Sequence, residues 1–138
     1  MDDYELIERF EDCTLPEDRF HHIDHVRLAW LYLSRQPLAQ ALERFSTGLK
    51  RFAAAAGKPD RYHETITWAY LFLINERMER DGRPRSWEEF IAANPDLRAR
   101  DGGVLGRLYN RETLDSSLAR RVFVLPDRAL VEADPPDV

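Results

Sequence analysis

From Phe20 to Leu33 the chain reads FHHIDHVRLAWLYL. Phe20, Ile23, Val26, Leu28, Ala29, Trp30, Leu31, Tyr32 and Leu33 leave little room for a polar face. A surface helix carries one apolar stripe, and a helix apolar most of the way round has to be wrapped by neighbours. The pattern therefore predicts a central helix over about residues 19–34. The rest of the chain must supply the helices that enclose it.

It does so with further stripes at helical spacing. Tyr4, Ile7 and Phe10 mark a short first helix, Asp3 to Glu11, and CTLPED then breaks the pattern, with Thr14 and Pro16 suited to a turn. Pro37 suits the first turn of a third helix, Leu38 to about Ala56, striped by Leu38, Leu42, Phe45, Leu49, Phe52 and Ala56. Gly57 and Pro59 end it. A fourth helix is expected from about Arg61 to Arg80, with Ile66, Ala69, Tyr70, Leu73, Ile74 and Met78 facing inward, before the break Asp81-Gly82-Arg83-Pro84. Ser86-Trp87-Glu88-Glu89 fits a capping box opening a short helix to about Ala93. Asn94-Pro95-Asp96 starts another short segment, Asp101-Gly102-Gly103 reads as a turn, and Glu112 to Arg121 as a last helix. Val122-Phe123-Val124-Leu125-Pro126 reads as an extended segment packed on the bundle, and residues 131–138 as a frayed tail. The fold class is all-α: a single-domain helical bundle, residues 1–138, with an irregular C-terminal third.

Composition narrows the function. At 138 residues, one domain is expected. A net charge of -5 argues against broad nucleic-acid binding, which needs a basic face. No apolar run approaches the ~18 residues of a spanning helix, so no membrane partner is expected. The acidic opening MDDYELIERFEDC lacks the basic and apolar regions of a signal peptide, and the cytoplasm is the default location. Cys13 stands alone, which excludes an internal disulfide framework and a CxxC metal site. An acidic stretch precedes it, unlike the setting of a reactive thiolate. Ser116-Ser117 lacks the context of a nucleophile elbow. Trp30, Trp68 and Trp87 suit packing, and Lys50-Arg51 and Arg120-Arg121 suit solvated surface. Gly102-Gly103 lacks the residues of a phosphate loop.

The chemistry, if any, falls to the four histidines. They stand in two places, FHHIDH at 20–25 and YHET at 62–65. On a helix His22 and His25 share a face with Val26 and Ala29, while His21 is turned about 100° from His22. If the second and fourth helices run parallel, their N-terminal ends meet, bringing His22 and His25 to His63 and Glu64. Three imidazoles and a carboxylate suit a divalent metal ion (zinc, iron, nickel or copper) with a position open for water or substrate. The spacing fits a second account equally well. Histidines at i, i+3 are common on helices, a His-Glu pair can cap a helix, and Asp24 can partner Arg27. HExxH and the HD doublet are both missing.

The strings FHHIDHVRLAWLYL, GKPDRYHETITWAYLFL and ARRVFVLPD resemble a family of small uncharacterised bacterial proteins patterned H-x-D-H-V-R-L-A-W and Y-H-E-T. The likeness spans about Phe20 to Asp127. It implies a shared site on His22, Asp24, His25, Arg27, Tyr62, His63, Glu64 and Thr65 without naming a reaction.

Two functions follow as expectations. One is a small metalloprotein acting on a small molecule, with His22, His25, His63 and Glu64 as metal ligands. Glu64 would then serve as ligand or general base, and Tyr62 and Arg27 would either support the metal's ligands or orient the substrate. Hydrolysis, isomerisation and oxidation are equally open to it. The other is a non-catalytic helical module that binds a small ligand or a protein partner, a second copy of this chain in a homodimer included, and whose histidines satisfy polar neighbours.

Overall fold

A computed structural model of the chain describes residues 1–83, 86–99 and 103–128. The expected break at Pro84, the turn at residues 101 and 102, and the expected tail at 131–138 lie outside the described residues. The described chain is all-α. In order come α1 (Asp3–Glu11), a 3-10 turn (Glu17–Arg19), α2 (His22–Arg35), α3 (Leu38–Ala55) and a second 3-10 turn (Pro59–Arg61). α4 (Glu64–Arg80) and α5 (Trp87–Ala93) follow, then 3-10 turns at Pro95–Arg98 and Leu105–Arg107, α6 (Arg111–Leu114) and α7 (Ser117–Arg121). No strand occurs, and no helix is long and apolar enough to cross a membrane, among the described residues.

α2 is the central helix that its composition demands. Val26 and every residue from Leu28 to Leu33 are buried. α3 and α4 pack against α2 and against each other. α2 and α4 run parallel. The His22 ring meets the Tyr70 ring at 5.4 Å, and at the other end Arg83 Nη2 donates to the Leu33 carbonyl at 2.7 Å.

Three boundaries differ from the periodic reading, and caps explain each. The Asp24 carboxylate accepts the His21 backbone N–H at 2.9 Å, so α2 starts at His22 and Glu17–Arg19 stays a separate turn. His63 caps α4, so that helix starts at Glu64 rather than near Arg61. The expected last helix is two, because Ser116 Oγ accepts the Ala119 N–H at 3.1 Å and donates to the Thr113 carbonyl at 2.6 Å. Ser116 thereby opens α7.

α4 is more enclosed than its stripe predicts. Beside Ala69, Ile74 and Met78, it also buries Thr65, Thr67 and Leu71. The extended C-terminal segment covers it. Thr65 Oγ1 donates to the Val122 carbonyl at 2.8 Å and accepts the Val124 N–H at 3.0 Å. Phe123 stacks on Trp68 at 5.6 Å and meets Phe72 edge-on at 5.4 Å. Tyr109 donates its hydroxyl to the Val124 carbonyl at 2.7 Å. Leu125, expected to pack, is instead 73% exposed.

A close approach fixes α1 on α3. A Cβ on Gly48 would stand 2.7 Å from Phe10 Cε2 and 2.9 Å from its Cζ. The Phe10 ring is fully buried against Tyr32, Phe45 and Phe52, so it has little room to yield. In an open helix Gly→Ala gains about 1 kcal/mol. At Gly48 overpacking, typically about 1–3 kcal/mol, should outweigh that gain. Gly48→Ala is therefore expected to lower the urea midpoint at unchanged slope. A raised midpoint would mean that Phe10 moves aside freely.

Candidate functional site

His22 and His25 begin α2 on adjoining faces, and the two rings find different partners. His22 Nε2 donates to the Leu97 carbonyl at 2.9 Å, which ties α2 to the Pro95–Arg98 turn. The His25 ring stacks flat on Phe20, centroids 3.9 Å apart and planes 9° apart, and Phe20 in turn meets the Phe52 ring edge-on at 4.9 Å. Residues three apart differ by about 60° around a helix, enough to send the His22 ring to Tyr70 of α4 and the His25 ring back to Phe20.

His63 is a clasp. Its Nδ1 accepts the Ile66 backbone N–H at 3.1 Å, and its Nε2 donates to the Leu114 carbonyl at 2.7 Å. The ring is neutral in this arrangement and is buried. Burial holds its pKa below the ordinary 6.5, nearby Arg120 adds to that, and the Leu114 carbonyl opposes it. The His63 carbonyl in turn accepts the Thr67 hydroxyl at 2.8 Å.

The expected meeting of helix ends fails on stagger. His22 is level with Tyr70, about two turns beyond His63 along α4, or about 10 Å at 1.5 Å per residue. The set His22, His25, His63 and Glu64 is accordingly not assembled. Among the described residues no group of three or more His, Cys, Asp or Glu side chains is placed to hold a metal ion.

The structure does join Tyr62 and Glu64. The Tyr62 hydroxyl donates to Glu64 Oε1 at 2.5 Å. Burial pushes that hydroxyl above its ordinary pKa of 10, the bond to Glu64 adds to the rise, and the Ser46 and Thr67 hydroxyls oppose it. Lys50 Nζ stands 3.9 Å from Glu64 Oε1 and 5.1 Å from the Tyr62 ring centre. Arg27 lies elsewhere. It pairs with Asp3 at 2.5 Å and donates to the Met1 carbonyl at 3.2 Å, holding α1 to α2. The structure therefore does not bring Arg27 together with Tyr62 and Glu64; its Nε and Nη2 face Asp3 and the Met1 carbonyl.

Tyr62 lines an open cleft of about 630 Å³ between α3, the Pro59–Arg61 turn and α7. Lys50 contributes from α3, Asp60 from the turn, and Ser117, Arg120 and Arg121 from α7. Arg120 Nη1 donates to the Asp60 carbonyl at 2.9 Å, bridging the two walls. Arg121 Nε reaches Ser117 Oγ at 3.4 Å. The size falls within the roughly 300–1,000 Å³ of small-molecule sites. A hollow of about 280 Å³ elsewhere, lined by Glu11, Glu43, Arg44, Thr47 and Arg51, balances its charges internally. Sequence reading treats Lys50, Arg120 and Arg121 as solvated surface, since nothing local to either pair points to the other. α7 is seated beside the Lys50 wall by the His63 bond to Leu114 before it and the Thr65 bonds to Val122 and Val124 after it.

No family model matches this chain, and neither a curated protein nor a solved structure matches it.

Proposed function

We propose that this protein is a non-catalytic helical module that holds a small molecule in the Tyr62 cleft, and that its histidines are structural. The observation that carries this reading is the double commitment of His63. An imidazole ligates a metal through an unprotonated nitrogen, and here one nitrogen caps α4 while the other holds α6. His22 donates Nε2 to the Leu97 carbonyl, tying α2 to the Pro95–Arg98 turn. The raised Tyr62 hydroxyl supports binding over acid-base work, because a proton donor operates best with a pKa near the working pH.

The test is metal analysis of protein purified without an affinity tag or chelator, followed by titration with zinc, iron, nickel and copper. The expected result is metal-free, folded protein whose melting temperature does not rise with any of the four. Stoichiometric metal, lost in the double variant His22→Ala with His25→Ala, would overturn the reading in favour of a metalloprotein.

A further inference from the structure

We infer that the cleft between Lys50, Arg120 and Arg121 binds the phosphate group of a small phosphorylated molecule. This rests on the reading of the cleft as a ligand site and names the class of its ligand. Its lining carries three cations and one carboxylate, Asp60. The complement to that surplus is a group of about -2, which a phosphate monoester approaches at neutral pH and a single carboxylate does not. Glu64 stands nearby, but its contact with Lys50 is long at 3.9 Å and the lysine side chain is 58% exposed, so the pairing spends little of the ammonium's charge.

The donors also suit a tetrahedral oxyanion. Arg120 lines the cleft and spends Nη1 on the Asp60 carbonyl, which anchors its guanidinium while leaving other N–H groups to give. Arg121 is steadied by Ser117 from the preceding turn of the same helix. Lys50 lies over the Tyr62 ring and supplies a compact charge from the opposite wall. Two planar forks and an ammonium, approaching from two walls, can each take a different phosphate oxygen.

The experiment is an amide-shift titration of the full chain at fixed ionic strength with ribose 5-phosphate, inorganic phosphate, acetate and ribose. Saturable shifts at Asp60, Tyr62 and the amides of α7 are expected with both phosphates. Affinity for ribose 5-phosphate should fall about tenfold or more in Arg121→Ala and in Lys50→Ala. Both side chains are exposed, and unchanged melting of the variants checks that the fold is kept. Acetate or ribose binding the cleft as tightly as ribose 5-phosphate would overturn the phosphate assignment while leaving the cleft a ligand site. Phosphate shifts that lie elsewhere, or that both variants leave intact, would overturn the inference. Silence with all four probes would overturn the inference and remove the cleft from the proposed function. The structural role of the histidines stands or falls separately, on the metal titration.

Discussion

Ala29→Asp is expected to unfold the protein at room temperature or leave it barely folded. Ala29 is 1% exposed in the middle of α2, where Leu28 and Trp30 to Leu33 are also buried. A carboxylate buried there must either lose its hydration or take up a proton at cost. Loss of about 4 kcal/mol or more is expected, against total stabilities of about 5–15 kcal/mol for domains. Circular dichroism during thermal and urea unfolding would show it. Ala39→Asp is the control. Ala39 is exposed in the first turn of α3, where a carboxylate faces the positive end of the helix dipole. That variant should stay within about 0.5 kcal/mol of the parent. If Ala29→Asp behaved like the control, α2 would not be the centre of the bundle.

His63→Ala should cost about 2–4 kcal/mol, from the lost cap, the lost bond to Leu114 and the carbonyl left unpaired. His63→Asn restores a capping oxygen but does not reproduce the ring's span to Leu114, so it should recover only part of the loss. The same residue sets a pH dependence. Burial holds the native pKa of His63 below 6.5, whereas the unfolded chain takes up the proton near 6.5. The unfolded state thus binds more protons below that pH. His63 contributes its full stability above about pH 6.5 and loses it as the pH falls from there toward its native value, with a slope of at most about 1.4 kcal/mol per pH unit. His63→Ala should abolish that component. The Asp96 carboxyl, lowered from 3.8 by its bond to Arg77, acts at more acid pH and does not mask it. Unfolding free energies measured from pH 7.5 to 5 in both proteins provide the comparison, and parallel curves would mean that His63 is not buried neutral.

Where periodicity governed, the sequence was readable. α1 matches its expected limits, α3 matches within one residue, and the crowded apolar run of α2 is the core. Side chains that bond to backbone groups were harder to place. Nothing in the spacing of FHHIDH distinguishes Asp24 capping His21 from Asp24 reaching Arg27, because both geometries are available on one helix turn. The candidate site depended on a quantity that hydrophobic patterns do not encode, the axial offset of two parallel helices. A shift of about two turns leaves the apolar stripes of α2 and α4 in contact, yet it carries His63 from His22 to Leu114. Tyr62 and Glu64, by contrast, are near neighbours in the chain, so the axial offset does not separate them, and their bond is local. The basic wall of the cleft was illegible for another reason: Lys50 and Arg121 belong to distant elements, and surface cations carry no local mark of what they face.

The bracket at Thr65 has a consequence for the order in which the molecule can be assembled. Its hydroxyl joins residues 57 and 59 positions further along the chain. A chain emerging from the ribosome can bring α1 to α4 together well before Val122 has been made. Throughout that interval Thr65, Trp68 and Phe72 of α4 lack the cover that Val122, Phe123 and Val124 give them. The nascent bundle therefore presents an aromatic surface to whatever surrounds it, and synthesis of the last described residues closes that surface from within the same chain.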